Sequence, residues 1–321
     1  MKIFVTGGTG FIGGYVVQEL LKSEIESISI LTRKKRTNAL RINYVEGDLR
    51  DRGLLRRVLR GHECVLHLAG CKRQQVLHEE VNINGTQSLV EACRFSPEFK
   101  LLIHLSGVNV YGSPEQVLVD EQVICRPVGS YDKSRYESDL IVQRFASEIS
   151  GRAIIFRCGN IFGENDPDNH LLNLIKKIRS GRFCFVGDDV AGYQVNYIYV
   201  KEVAALFERF VKIQGLSNLY IANTPASLSD LVARLKFLTG QTAATKVLPY
   251  APVNIAAKIF DLVPKTIWSQ APINSLKLRE LTNKTIYSPS NLIKEFQWTP
   301  RYSLETALEN LHRHYVYQKL L

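Results

Sequence analysis

Gly7, Gly10 and Gly13 stand three residues apart, directly after an apolar run and directly before a run with helical spacing. Each missing side chain has a use. One glycine permits a tight turn, a second lets the backbone approach a pyrophosphate, and a third lets a helix pack close to a strand. The free N–H groups and the dipole at the helix N-terminus then attract phosphate oxygens. The segment Val5-Thr6-Gly7-Gly8-Thr9-Gly10-Phe11-Ile12-Gly13 therefore points to a bound dinucleotide. Its contacts are expected from Gly7, Thr9, Gly10, Phe11, Ile12 and Gly13. A glycine pattern alone carries little weight, but here the strand before it and the helix after it are both in place.

A second group bears on which dinucleotide this is. The next apolar run ends Leu31-Thr32-Arg33-Lys34-Lys35-Arg36, with no acid between Ser27 and Arg36. A carboxylate at this point would take the two adenosine ribose hydroxyls of NAD. An arginine favours a 2′-phosphate instead. Arg33 offers a planar fork suited to phosphate, with a lysine beside it. The expected cofactor is NADP(H), ahead of NAD; a basic surface loop is the other reading of the cluster.

These residues need a scaffold. Short apolar runs at Lys2–Thr6, Ser27–Thr32, Ile42–Glu46, Cys64–Leu68, Lys100–Ser106 and Arg152–Arg157 read as strands. Amphipathic runs at Phe11–Lys22, Arg52–Arg60, Val81–Phe95 and Tyr131–Ile149 read as helices. The alternation predicts an α/β fold, a doubly wound parallel Rossmann sheet over residues 1–163. After Gly163 the rhythm changes. Helical patterns at His170–Arg179, Lys201–Val211, Ser229–Thr239 and Leu304–Tyr315 alternate with short strand-like pieces. Residues 164–321 are expected to form a smaller α+β lobe for the substrate, partly interleaved with the first domain.

The 321 residues are 45% hydrophobic and 22% charged, as in a globular protein with a sizeable core. No apolar run reaches the length of a membrane span. The N-terminus enters the glycine turn without a signal-peptide pattern, and the six cysteines form no C-x-x-C pair. Free thiols, a cytoplasmic location and no metal site are expected. The net charge of +10 fits an anionic cofactor or substrate. The clusters at Arg56-Arg57 and Lys176-Lys177 read as solvated helix faces, and no nucleic-acid partner is expected.

The G-x-x-G-x-x-G spacing resembles the extended branch of the short-chain dehydrogenase/reductase superfamily, the epimerases, dehydratases and reductases. Further segments are similar to that family. Gly47-Asp48-Leu49 resembles its adenine contact, with Asp48 and Leu49 against the base; Asp48 as the cap of the following helix is the alternative. His67-Leu68-Ala69-Gly70 resembles the loop along a ribose, through Leu68, Ala69 and Gly70. Asn82 resembles the family's largely architectural asparagine. Arg157, Asn160, Phe162 and Gly163 resemble the segment beside the nicotinamide, with Cys158 in place of the usual proline.

The resemblance implies three catalytic groups. A tyrosine exchanges a proton with the substrate oxygen, a lysine four residues later lowers the tyrosine pKa and holds the ribose, and a strand hydroxyl orients the substrate. Tyr131 takes the first place. Arg135 takes the lysine's place; it keeps the charge but not the geometry. Lys133, two residues from Tyr131, faces elsewhere on the helix. Gly107 stands where the hydroxyl belongs. Ser106, one residue away, serves only if the strand bends there. Val108 and Asn109 replace the acidic pair of dehydratases, which disfavours sugar 4,6-dehydration. Two readings follow: an active reductase or epimerase on a small carbonyl, hydroxyl or nucleotide-sugar substrate, or a cofactor-bound sensor, scaffold or complex subunit.

The substrate lobe is less legible. Gln194 and Asn196 alternate with Val195 and line either a pocket face or an ordinary edge strand. Arg179, Arg182 and Arg279 are candidates for a substrate diphosphate. Pro249–Trp268 reads as a packed helix, a lid, or a membrane-surface contact. The resemblance also implies a homodimer through the two long helices at Val81–Phe95 and Tyr131–Ile149.

Overall fold

Successive residues of the first strand face opposite cores. Ile3 and Val5 enter one apolar layer and Phe4 the other, and all three are fully buried. Only a strand covered by helices on both faces needs such a sequence. The computed structural model describes residues 1–114, 116–149, 152–213, 217–262 and 273–321. Its strands are β1 (Lys2–Thr6), β2 (Ser27–Thr32), β3 (Ile42–Glu46), β4 (Cys64–His67), β5 (Leu101–Gly107), β6 (Leu118–Val119) and β7 (Arg152–Cys158). They continue as β8 (Asn160–Phe162), β9 (Cys184–Val186), β10 (Gln194–Tyr199), β11 (Leu219–Ala222), β12 (Thr224–Ser227), β13 (Lys246–Leu248) and β14 (Ile286–Tyr287). The helices are α1 (Phe11–Leu20), α2 (Arg52–Val58), α3 (Gly85–Arg94), α4 (Ser130–Glu148), α5 (His170–Arg179) and α6 (Val200–Lys212). After them come α7 (Leu228–Leu238), α8 (Tyr250–Leu262), α9 (Ser275–Leu281), α10 (Ser290–Phe296) and α11 (Leu304–Tyr317).

The main sheet has seven parallel strands in the order β11-β7-β5-β4-β1-β2-β3. The winding reverses between β1 and β4. At that point the connections leave in opposite directions and open a crevice beyond the strand ends. Helices α1 and α6 pack one face through Val16, Leu20, Val203 and Phe207. Helices α2, α3 and α4 pack the other through Leu55, Leu89 and Phe145. The expected strands and helices are present with small shifts at their ends. One difference has a visible cause. The helix expected from Val81 begins at His78 and winds as a π-helix over His78–Asn84 before α3. There the Asn82 carboxamide holds both the N–H and the C=O of Cys71, at 2.7 and 3.0 Å, and donates to Ser134 Oγ. Anchoring that side chain between two other elements forces the wider turn.

The later chain returns to the first sheet. Strand β11 pairs with β7, and Phe207, Phe210, Tyr220, Phe296 and Trp298 join the core around Phe156. The rest of it builds a second core, with α5, α7 and α11 around the sheet β12-β10-β8. No helix among the described residues is long and apolar enough to cross a membrane. Pro252 sits in the first turn of α8, where the missing N–H costs nothing. Pro264 and Trp268, in the stretch expected as a packed helix or lid, lie outside the described residues.

The turn between β1 and α1 leaves no room for a side chain at Gly13. A Cβ on Gly13 would lie 2.2 Å from Gly7 O and 2.6 Å from Gly8 Cα. Gly13→Ala is expected to destabilise the fold by about 1–3 kcal/mol and to weaken dinucleotide binding, read by urea melts and a binding titration. Unchanged stability and affinity would contradict the packing role of Gly13.

Candidate functional site

The turn forms at the β1 end of the crevice. Gly7 has φ of 74°, a left-handed conformation, and its Cα faces the β4 loop, where a Cβ would lie 2.6 Å from Ala69 N. Gly10 N donates to Gly7 O, and Gly10 caps α1 without a side-chain bond. The first-turn N–H groups of Phe11, Ile12 and Gly13 are thus not covered by a capping side chain. Thr9 and Gly10 are exposed, and Phe11 and Ile12 are half-buried at the same end. Thr6 Oγ1 braces the β4 loop by accepting from Ala69 N and meeting His67 Nδ1 at 2.7 Å. A cradle of bare backbone facing a helix start fits a pyrophosphate.

Arg33 is exposed at the end of β2. The turn after it is shaped by Lys34 N donating to Thr32 Oγ1. Asp48 lies close enough for the charge of Arg33 to act on it, but its main partner is Arg50. Arg50 Nε and Nη2 reach its two oxygens at 2.8 and 3.1 Å, and this pair holds the Asp48 carboxyl below the usual range. The helix-cap alternative for Asp48 is corrected: Asp51 caps α2 by accepting from Leu54 N. Leu49 is buried against Gly85. Leu68 and Ala69 are half-buried beside the glycine turn, and Gly70 is exposed.

Helix α4 carries Tyr131 and Arg135 one turn apart. Tyr131 is half-buried, its ring edge-on to His78 at 5.6 Å between centroids. Arg135 is buried and points inward. Its Nη2 donates to the carbonyl of Leu105 in β5, and its Nη1 would lie 3.1 Å from a Cβ on Gly70. The guanidinium therefore bridges the loop after β4 and the end of β5. Lys133 is exposed on another face, as its spacing predicts.

Beneath Arg135 lies a buried polar layer that the sequence did not announce. Asp139 accepts from Arg157 Nε at 3.0 Å, and the Arg157 guanidinium lies 4.9 Å from the centre of the Tyr111 ring. Arg157, expected beside the nicotinamide, is thus held in the interior by Asp139 and Tyr111, whereas Asn160 is exposed at the start of β8. Burial alone would raise the Asp139 pKa; His104, Arg157 and Arg135 outweigh it and hold the carboxyl low. His104 Nε2 approaches Asp139 Oδ1 at 3.4 Å, a polar contact too poorly aligned for a full hydrogen bond. Burial lowers the His104 pKa, so its imidazole is neutral there. Burial also drives the His67 pKa well down, with His104 and Arg135 adding to it.

The condition set for Ser106 is not met. Strand β5 stays in register with β7 through Gly107, without a bend. Ser106 Oγ stays buried and has no hydrogen-bond partner. In the second lobe, the edge-strand reading of Asn196 is corrected as well. Strand β10 is the middle strand of its sheet, and Asn196 is buried there. Its Nδ2 donates to Thr285 O at 2.8 Å, and its Oδ1 accepts from Asn223 Nδ2 at 2.8 Å. Gln194 is half-buried, and its backbone pairs with Asn283. Arg279 donates to Ser113 Oγ; Arg179 and Arg182 are exposed.

A parallel sheet with a glycine turn at its reversal point, and a tyrosine on the helix beside it, defines a dinucleotide-binding α/β protein. Residues 3–214 match the model of the NAD dependent epimerase/dehydratase family, and the chain belongs to that family of enzymes. It is 29% identical over 228 residues to the UDP-glucose 4-epimerase of Streptomyces lividans, covering 63% of this chain and 69% of that one. The fold matches UDP-glucose 4-epimerase of Thermotoga maritima with UDP-glucose, with TM-score 0.75 and 20% identity over 99% of this chain and 100% of that one. It also matches dTDP-glucose 4,6-dehydratase of Bacillus anthracis in complex with NAD, with TM-score 0.76 and 19% identity over 100% of both chains.

The buried histidines make stability depend on pH. Unfolding returns His67 to an ordinary pKa near 6.5, so below that pH the unfolded chain takes up a proton that the folded chain refuses. This contribution is present above about pH 6.5 and is lost as pH falls towards the depressed folded value. Glu121 and Glu202, whose pKa values burial raises, act with the opposite sign, so a variant is needed to isolate the histidine. Between pH 7 and 5.5, wild-type stability should fall more steeply than that of His67→Asn, by up to about 1.4 kcal/mol per pH unit. Equal slopes in urea melts would contradict a neutral buried His67.

Proposed function

We propose that the chain binds NADP(H) and performs hydride transfer at a hydroxyl-bearing carbon of a nucleotide sugar, as an epimerase or oxidoreductase. The carrying observation is the placement of Tyr131 and Arg135 on successive turns of α4, with the Arg135 guanidinium lodged between Gly70 and the Leu105 carbonyl. That position spans the loop expected along the ribose and the strand end expected beside the substrate. Arg135 supplies a fixed positive charge one turn from the tyrosine. Tyr131 then takes the proton of the substrate hydroxyl and returns it after transfer. The first-turn N–H groups of α1 hold the pyrophosphate, and Arg33 holds a 2′-phosphate on the adenosine side. A bound nicotinamide would supply the hydride acceptor and donor there. The nucleotide-sugar class follows from relatives whose names specify UDP-glucose and dTDP-glucose. The absence of the acidic pair at Val108 and Asn109 favours epimerase or reductase chemistry over dehydration.

Two measurements test this reading. Chromatography of the sugar product from UDP-glucose and dTDP-glucose, with absorbance at 340 nm for simple carbonyl compounds, should show turnover that Tyr131→Phe reduces by about 100-fold or more. Slow turnover indifferent to that substitution would favour a cofactor-bound sensor or scaffold instead. Titration with both cofactors should show tighter binding of NADP(H), reversed by Arg33→Asp; tighter binding of NAD by the wild type would overturn the role of Arg33.

A further inference from the structure

Gly107 does not owe its identity to the backbone. Its φ of −139° is ordinary extended strand, open to any residue. The constraint is a side chain two residues on. A Cβ on Gly107 would lie 2.3 Å from Asn109 Oδ1, with the next nearest backbone atom, Cys158 O, at 3.7 Å. The Asn109 carboxamide therefore fills the space into which a side chain at 107 would project. Its orientation is fixed chemically. Asn109 Nδ2 donates to Asp132 Oδ1, and an ionised carboxylate only accepts. Flipping the amide would set oxygen against oxygen, so Oδ1 must face Gly107. Asn109 is half-buried rather than sealed in, and Asp132 is the residue next to Tyr131. The contact thus ties the end of β5 to the first turn of α4.

We propose that Asn109 Oδ1 accepts from the substrate hydroxyl next to the reacting one, in the place where the strand hydroxyl is missing at Gly107. This rests on the reading of Tyr131 as the proton-exchanging group. One N–H of Nδ2 is held by Asp132, and the atom turned toward Gly107 is Oδ1, an acceptor. It holds the substrate through that neighbouring O–H and leaves the reacting O–H to Tyr131, whereas a serine hydroxyl at 107 could also donate. Residues 107 and 109 then form a linked pair: a side chain at 107 and the Asn109 carboxamide compete for one space.

The test is a cycle of wild type, Gly107→Ser, Asn109→Ala and the double variant. Each is assayed by chromatography of the sugar product from UDP-glucose and dTDP-glucose and also melted thermally. Asn109→Ala should lower kcat/KM about tenfold or more with little change in melting temperature. Gly107→Ser alone should lower both the melting temperature and activity, because its Cβ meets the amide oxygen. The double variant should recover the melting temperature and outpace Asn109→Ala, with the restored hydroxyl doing the carboxamide's task. An Asn109→Ala variant as fast as the wild type overturns the inference, as does a double variant no faster than Asn109→Ala. A wild type inert with both nucleotide sugars retires the nucleotide-sugar reading and this inference with it. That outcome is distinct from an active wild type indifferent to residue 109, which overturns the inference alone.

Discussion

Helix α4 is held in place by a carboxylate that has been taken out of water. Asp139 is 1% exposed, and a lone charge there would cost several kcal/mol. Arg157 on β7 neutralises it, with His104 on β5 beside it. Three elements therefore meet at one charge, and breaking such a pair by removing one partner costs about 3–5 kcal/mol. The helix cannot rotate or slide without exposing that charge to an apolar interior. Arg135 and Tyr131, one and two turns earlier on the same helix, inherit that position. The site takes its position from the Asp139–Arg157 pair in the layer below it.

Above that layer the crevice is built from missing side chains. Gly7 and Gly13 let β1, α1 and the β4 loop approach within backbone contact. Gly70 leaves room for the Arg135 guanidinium, which is bulkier than the lysine it stands for. Gly107 leaves room for the Asn109 carboxamide. These local vacancies make the departures at 107 and 135 mutually consistent. A larger cation occupies the gap beside one glycine, and an amide occupies the gap beside another. On the proposed reading, the altered residues make a repacked site.

The fold was legible because its signals are local. Alternation of apolar runs, the glycine turn and the basic end of β2 each lie within a few residues, and each fell where the pattern placed it. What escaped depends on contacts between distant segments. The π-helical start at His78 comes from Asn82 bonding to Cys71 and Ser134, 11 and 52 residues away. The capping of α2 by Asp51 was hidden by the neighbouring Asp48, which resembles a family motif. Arg157 looked like a cofactor contact by position in a motif, yet Asp139 draws it inward. Asn196 alternates like an edge residue, but the strand beside it comes from residues 224–227 and its bond partner from Thr285. Asn109 left a faint sequence signal in the glycine two residues before it. Only the geometry shows that the two belong together.

On the proposed function, the guanidinium of Arg135 does the work expected of an ammonium there. The most direct measurement is the single-turnover rate of hydride transfer from UDP-glucose to the bound cofactor in wild type, Arg135→Lys and Arg135→Ala. Cofactor affinity and melting temperature are read on the same samples. The account predicts that Arg135→Lys stays within about tenfold of the wild type and that Arg135→Ala falls by about 100-fold or more. A folded, cofactor-loaded Arg135→Ala that transfers hydride at the wild-type rate would contradict it.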